Sequence, residues 1–523
     1  MTILLVILAF ILLGWRFQKK RTTYGSAAWL TIFEAMRAGL LRRKGIIVGD
    51  WSGLLPVYYD GTHAVTYGAA GSGKGTTAII PNLLHYPHIF LNDPGGENTA
   101  VAIAQWRRRG GTIFVINPFA MHGEAPWNLP AHAFNPFDLL DESGVTFAAD
   151  AKVLAEILTP RSGKELGSAK YFIERAEAWV HASIVHTKTT AAPAERHAGT
   201  LYDHVHLSAP DWGDLLTAMK ANPACGGLVR AVAVDMERME AQAPEEFSAV
   251  LSTVQQNLQW LAEPKAREAI SRSEVDFTSL KTDARGAVIA VVMPLAYKET
   301  HAAIPRLALQ CAVWAMVRAP LSRHRVLFEI DEAASLGRIE RLPQWLAELR
   351  KYKVQWSLYF QNTAQPKFLY RDEWQTFQGN AGLKRFLGVS DEETAKEASA
   401  FCGQTTILIK NRGPGGVSLS ETGRELLKPD EVRRFRKGEQ VVVIENLQVM
   451  RLKCTPYWNR PAFAGRYHRN PYVDNAKGMS LATPFRFVWG RFVYAAAWLM
   501  TPHPAAALLI TAAMVALIAR GLG

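Results

Sequence analysis

The chain has 523 residues and a formal net charge of +12, a length that predicts two or three domains and a balance that points to polyanionic partners, nucleic acid or an anionic membrane face. Its four cysteines, Cys225, Cys311, Cys402 and Cys454, lie far apart with no CxxC pair and no histidine at ligand spacing. That pattern argues against a zinc site or a disulfide framework and fits a reducing compartment.

The N-terminus, MTILLVILAFILLGWRFQKKRTT, is apolar from Ile3 to Trp15 and then basic at Arg16, Lys19, Lys20 and Arg21. A cleaved signal peptide carries its charge before the apolar run. Here the charge follows, so residues 1–22 read as an uncleaved anchor that keeps the rest of the chain cytoplasmic.

Next comes TYGAAGSGKGTTAIIPNLL. Gly68, Gly73 and Lys74 satisfy GxxxxGK, an apolar run from Ala64 to Tyr67 enters the loop, and the following stretch leaves it as a helix. Such an arrangement turns successive backbone N–H groups and a helix N-terminus onto a phosphate, with Lys74 reaching the outer phosphates. Gly75 stands where this loop usually carries Ser or Thr. Thr76 and Thr77 follow at once, and Thr76 can supply the missing Mg²⁺ ligand or hold a metal-bound water.

Further short apolar runs that end in turn residues, HIFLNDPGGEN, TIFVINPF, AVIAVVMP, RVLFEIDEAASLG, VQWSLYFQNTAQ and QVVVIEN, alternate with helical stretches. That alternation predicts an α/β fold on a mostly parallel sheet, with active groups at the strand C-termini. Between Phe137 and Leu280 the strand signal vanishes, and segments such as AKYFIERAEAWVHASIVH have helical periodicity, as an inserted all-α domain would. In VLFEIDEAASLG a hydrophobic run ends in Asp331, placed to hold Mg²⁺ directly or through water, and Glu332, placed to orient an attacking water. Gln361, at the end of the following strand, can sense the terminal phosphate or position water. The expected boundaries are an anchor over 1–22, a nucleotide-binding domain in two parts over 23–136 and 285–475, and the helical insert over 137–284. At the C-terminus, residues 476–523 carry two apolar runs broken by TPHP. One spanning helix, a re-entrant hairpin, an amphipathic layer and a buried core helix all remain open there.

These residues resemble a known family, the coupling ATPases of type IV secretion and conjugation, TraG-like proteins related to ring-shaped DNA motors. The likeness runs in order through GSGKGTTAIIPNLL, LNDPGGEN, INPF, FNPFDLL, the helical segment above, FEIDEAASLGRIERLPQWLAELRKYKVQWSLYFQNTAQ, FQGNAGLKRFLGVSDEETAKEASAFCGQTT and ELLKPDEVRRFRKGEQVVVI. SGKG followed by an apolar helix is itself a common form of the loop there. The resemblance implies a RecA-like P-loop NTPase of the bacterial inner membrane, assembled as a homohexamer, that uses ATP and Mg²⁺. Its implied cargo is single-stranded, relaxase-bound DNA with relaxosome proteins, or a protein effector, handed to a type IV secretion channel.

By position, Gly68, Gly71, Ser72, Gly73, Lys74, Gly75, Thr76 and Thr77 then cradle the nucleotide, Asp331 and Thr76 serve the metal, and Glu332 is the catalytic carboxylate. Gln361 is the sensor, and Arg350 matches the arginine such rings insert into a neighbouring subunit's site. Two features depart from the family. Its DPKGE motif reads Asp93-Pro94-Gly95-Gly96-Glu97 here, and its usual pair of N-terminal spans is replaced by one short segment plus hydrophobic C-terminal material. A non-motor receptor that binds ATP only to assemble is the alternative; a chromosome-segregation translocase would carry several spans and a winged-helix reader.

Overall fold

The computed structural model describes residues 21–161, 167–321, 323–413 and 416–473. The hydrophobic segments expected at the two termini therefore lie almost wholly outside it. Among the described residues no helix is long and apolar enough to cross a membrane.

The strands occur in chain order as β1 (Ile46–Trp51), β2 (Leu55–Tyr59), β3 (Ala64–Gly68), β4 (Ile89–Pro94) and β5 (Thr112–Ile116). After a long helical stretch come β6 (Ala287–Met293), β7 (Val326–Ile330), β8 (Val354–Phe360) and β9 (Leu383–Leu387). The last four are β10 (Gln404–Gly413), β11 (Gly416–Glu425), β12 (Glu439–Ile444) and β13 (Met450–Lys453). Eleven of them form one sheet in the order β2-β1-β13-β12-β9-β3-β8-β7-β4-β6-β5, while β10 and β11 make a separate ribbon. From β9 to β5 every pairing is parallel; β12, β13, β1 and β2 extend the sheet antiparallel at one side.

Most of the parallel strands are largely apolar because helices cover both faces of the sheet; β9, which reads LKRFL, departs from that pattern. In β6 every residue is buried, and the alternation of side chains sorts them. Ala287, Ile289, Val291 and Met293 join one core with the helix Ala303–Arg318 and the helical insert. Val288, Ala290 and Val292 join the other, with the helices Ile80–His85 and Glu97–Arg109. In that second core Trp106 is fully buried and donates its indole N–H to Leu83 O at 3.0 Å, so truncating it to Ala would cost about 3–5 kcal/mol.

The insert between β5 and β6 is helical, as the periodicity predicts. Its main helices are Phe147–Leu158, Ser168–Thr190, Ala209–Ala221, Ala224–Gln242 and Pro244–Leu258, with Trp179 and Trp212 meeting at 4.9 Å in its interior. Beyond β13 the chain returns to the sheet edge, where Arg460 forms a two-pronged buried ion pair with Asp50 of β1, at 2.9 and 2.6 Å.

Candidate nucleotide site

Parallel order brings the C-terminal ends of β3, β8, β7 and β4 to one edge of the sheet. Gly68 ends β3, Gln361 follows β8, Asp331 and Glu332 follow β7, and Asp93 lies in β4. The residues expected at strand ends stand together at that edge.

The loop between β3 and the next helix turns on Gly71 and Gly73, whose φ of 73° and 92° lie in the left-handed region that favours glycine. At Gly68 a side chain would stand 2.9 Å from Leu387 O and from Ser72 Oγ, so the loop closes tightly there. Gly75–Ile79 forms a π-helical turn before the α-helix Ile80–His85 begins, a wider exit than a direct α-helix. Lys74 curls over the loop and donates to Gly68 O at 2.5 Å and to Ala69 O at 3.3 Å. Burial lowers its pKa, and the nearby Asp331 and Glu332 oppose that shift. The hydroxyls of Thr76 and Thr77 both donate back to Gly73 O, at 3.3 and 2.8 Å.

Facing the loop, Asp331 Oδ2 accepts from the side-chain amide of Asn98 at 3.0 Å. The same nitrogen donates to Asp93 Oδ1 at 2.8 Å, so one amide ties two carboxylates together. Asp93 also accepts from the N–H of Thr99 at 2.7 Å and its hydroxyl at 2.6 Å, closing the first turn of Glu97–Arg109. Burial, then the proximity of Asp93, pushes the Asp331 carboxyl up to about 7; burial pushes that of Asp93 up to about 6. Each would shed that penalty by meeting a cation.

Glu332 sits with a φ of 49°, left-handed for a residue with a side chain. Two donors hold its Oε1: Lys298 Nζ at 2.7 Å, from the segment after β6, and Gln361 Nε2 at 3.2 Å. Lys74, Asp331, Glu332 and Gln361 therefore meet in one place. Arg350 does not join them. It is exposed in the turn Leu349–Tyr352 that precedes β8, a strand length of about 20 Å from Gln361.

Asn98 and Lys298 are the two side chains of this site that motif spacing does not single out. Asn98 lies in a helix start, where Asn is common for capping, and Lys298 in a turn-rich stretch whose register against Glu332 only the fold sets. The DPGGE segment forms a tight glycine turn. Gly95 and Gly96 have φ of 91° and 69°, and the turn they make is covered by Tyr472, whose hydroxyl donates to Gly95 O at 3.1 Å. Asn470 from the same segment donates to Glu97 Oε1 at 2.6 Å.

Away from this site, a cleft of about 900 Å³ separates the helical insert from the segment that follows Glu332. Ion pairs line it: Arg341 reaches Glu156 at 2.9 Å, and buried Glu177 holds both Lys152 and Arg161.

Among the described residues no group of three or more His, Cys, Asp and Glu side chains is set to hold a metal. Magnesium needs none, since it is commonly bound through one or two protein oxygens, with phosphates and water completing its shell. Hard oxygen donors of that kind are present in Asp331 and in Asn98 Oδ1, a buried atom without a hydrogen-bond partner.

Comparison with known proteins agrees with this architecture. The chain is 23% identical over 509 residues to the type IV secretion system-coupling protein VirD4 of Bartonella henselae, covering 88% of this chain and 76% of that one. It is 24% identical over 464 residues to the conjugal transfer protein TraG of Agrobacterium fabrum, covering 81% and 68%. Among solved structures, the bacterial conjugative coupling protein TrwBdeltaN70 superposes with a TM-score of 0.64 at 15% identity, covering 84% of this chain and 94% of that one. The plasmid coupling protein TrwB in complex with ADP and Mg²⁺ superposes with a TM-score of 0.61 at 16% identity, covering 82% and 94%. Residues 28–479 match the family described as type IV secretory system conjugative DNA transfer, and the chain belongs to that family.

Proposed function

We propose that this chain is a membrane-anchored, hexameric ATPase that passes a relaxase-bound DNA strand, or a protein effector, to a type IV secretion channel. One observation carries the reading: Lys74, Asp331, Glu332 and Gln361 converge at the strand ends in a member of the conjugative transfer family. Relatives in that family are named coupling and conjugal transfer proteins, and the TrwB structures hold ADP with Mg²⁺ or nucleotide analogues.

In this reading the loop amides and Lys74 bind the phosphates of ATP. Asp331 and Thr76 would hold Mg²⁺, whose charge would offset that of the phosphates. Glu332, held by Lys298 and Gln361, takes a proton from the attacking water, whose oxygen bonds to the terminal phosphorus as the bond from that phosphorus to the leaving ADP oxygen breaks. Arg350 stands too far from its own subunit's site to serve it, and acts instead on the site of a neighbour in the ring. The nucleotide-binding parts 23–136 and 285–475 form the motor, and the insert 137–284 receives cargo. The ion-paired cleft lets the insert bear on the segment after Glu332. Residues 1–22 and 476–523 attach the ring to the inner membrane, with the bulk cytoplasmic.

The test is ATP hydrolysis by the full chain in lipid nanodiscs, with and without single-stranded DNA, beside Lys74→Ala and Glu332→Gln. Wild type should hydrolyse faster than either variant and respond to DNA. Equal rates in all three, with rings assembled, would leave a receptor that binds ATP without working as a motor.

A further inference from the structure

Phosphate-binding loops of this kind commonly place a Ser or Thr hydroxyl on Mg²⁺ directly after the lysine, and this chain has Gly75 there. Gly75 does not owe its place to backbone conformation, since it is absent from the positive-φ glycines. What limits it is space. A Cβ at position 75 would stand 3.3 Å from Asn98 Oδ1 and 3.9 Å from Glu97 Oε1, so any side chain there would crowd an oxygen already in place.

That oxygen is held in a defined orientation. Asn98 is 2% exposed, and its Nδ2 spends one hydrogen on Asp93 Oδ1 at 2.8 Å and the other on Asp331 Oδ2 at 3.0 Å. When ionised, both carboxyl groups only accept, which turns the amide nitrogen toward them, and Oδ1 faces the loop at Gly75. There Oδ1 is buried with no hydrogen-bond partner. An amide oxygen left in that condition is costly, and a native structure retains one where something else meets it.

We propose that Asn98 replaces the missing hydroxyl: its Oδ1 is a direct Mg²⁺ ligand of the nucleotide site, standing beside Asp331. The amide carbonyl is a hard oxygen donor suited to this ion. Through Nδ2 the same side chain also orients Asp331, so a single residue sets two neighbouring oxygens. Gly75 is then the partner of Asn98, its lack of a side chain making room for the substitute. Asn98 thus compensates for the departure from the usual loop, from a helix that begins more than twenty residues later in the chain. The inference rests on the proposed binding of Mg²⁺ and nucleotide at this loop.

The experiment titrates the full chain in nanodiscs with fluorescent ADP in EDTA, then follows Mn²⁺ binding to the ADP complex by electron paramagnetic resonance. Lys74→Ala should lose ADP affinity; if wild type binds no ADP, or Lys74→Ala binds it equally well, the nucleotide reading of the loop fails. Given that binding, Asn98→Ala should keep its ADP affinity in EDTA within about twofold and lose about tenfold or more in Mn²⁺ affinity. The double variant Gly75→Ser with Asn98→Ala should regain most of that loss, because the space opened at Asn98 admits a serine hydroxyl. Gly75→Ala crowds Oδ1 while leaving both Nδ2 donations in place, and should weaken Mn²⁺ without weakening ADP. It also decides the matter if Asn98→Ala fails to fold. Wild-type Mn²⁺ affinity in Gly75→Ala, or an equal loss of ADP and Mn²⁺ affinity in Asn98→Ala, would overturn the proposal.

Discussion

Gly95 and Gly96 are adjacent, both left-handed, and respond differently to the same added methyl group. At φ of 91° and 69° an alanine in either place is strained, by about 1–2 kcal/mol. At Gly95 the cost stops there, because the nearest atom to a new Cβ is Leu295 Cγ at 3.5 Å, an ordinary contact. At Gly96 the Cβ would meet Val292 Cγ1 at 2.8 Å and His122 Cδ2 at 3.1 Å. Val292 is fully buried in β6 and has nowhere to retreat, so overpacking adds about 1–3 kcal/mol. Gly95→Ala should therefore cost about 1–2 kcal/mol and Gly96→Ala about 2–5 kcal/mol. Lysine at position 95, as the family motif has it, should behave like alanine there. Guanidinium denaturation of the full chain, followed by tryptophan fluorescence, measures the three. Gly96 also precedes the helix that carries Asn98, so Gly96→Ala should weaken Mn²⁺ binding to the ADP complex and Gly95→Ala should not. If Gly95→Ala proves as destabilising as Gly96→Ala, the difference in crowding has been misjudged and the reasoning fails.

The buried pair Arg460–Asp50 makes a second test. Arg460→Met strands a carboxylate that is only 4% exposed and should cost about 3–5 kcal/mol in denaturation, whereas the double variant with Asp50→Leu should recover most of it. A third concerns acid. Burial holds His63 at about 4, and its neutral ring accepts the N–H of Trp356 at Nδ1 (3.1 Å) and donates from Nε2 to Leu346 O (2.8 Å). Because the folded value lies below the ordinary 6.5, the unfolded chain binds more protons between those limits, and stability falls as pH drops from 6.5 toward 4. Melting temperatures at several pH values across that window should show the decline, and His63→Gln should flatten it. Some slope should remain, since burial holds His85, His88 and His204 at about 4 as well.

The strands that carry the candidate site residues could be read from the sequence because burial forces largely apolar runs, as in β3, β4, β7 and β8, and β5, β6 and β12 stand out in the chain in the same way. The remaining strands break that rule for physical reasons. β9 reads LKRFL, and its Arg385 looks like a surface residue although it is 1% exposed. It belongs to a buried polar row with Glu329 and Tyr359, where the Tyr359 hydroxyl donates to Glu329 at 2.7 Å. β1, β2 and β13 lie toward the antiparallel side of the sheet, where β2 shows alternating burial, and β10 with β11 forms a ribbon whose Leu408, Val417 and Leu419 are exposed. Short, half-buried or unburied strands leave little periodic signal.

Site residues divide along the same line. Lys74, Asp331, Glu332 and Gln361 sit at fixed offsets from strand ends, and offsets are written in sequence. Lys298 is not, because its place depends on how the segment after β6 folds over the sheet edge. That segment lies against the DPGGE turn, with Leu295 in contact range of Gly95, and three residues later it delivers an ammonium 2.7 Å from Glu332. A cation thus reaches this neighbourhood although the motif lacks its usual lysine. Lys298 holds Glu332 in a strained, left-handed conformation together with Gln361, whose contact at 3.2 Å is longer and uncharged on the donor side. Loss of a charge-assisted hydrogen bond costs about 1.5–3 kcal/mol, so Lys298→Ala should lower turnover about tenfold or more as the carboxylate swings away. ADP affinity should stay unchanged, because Lys298 touches Glu332 and not the loop, and Lys298→Arg should restore part of the rate. Steady-state hydrolysis with fluorescent ADP binding separates the two effects. Turnover by Lys298→Ala at or above the wild-type rate would mean that the ion pair restrains Glu332 instead of aiming it, and the positioning role assigned to Lys298 would be wrong.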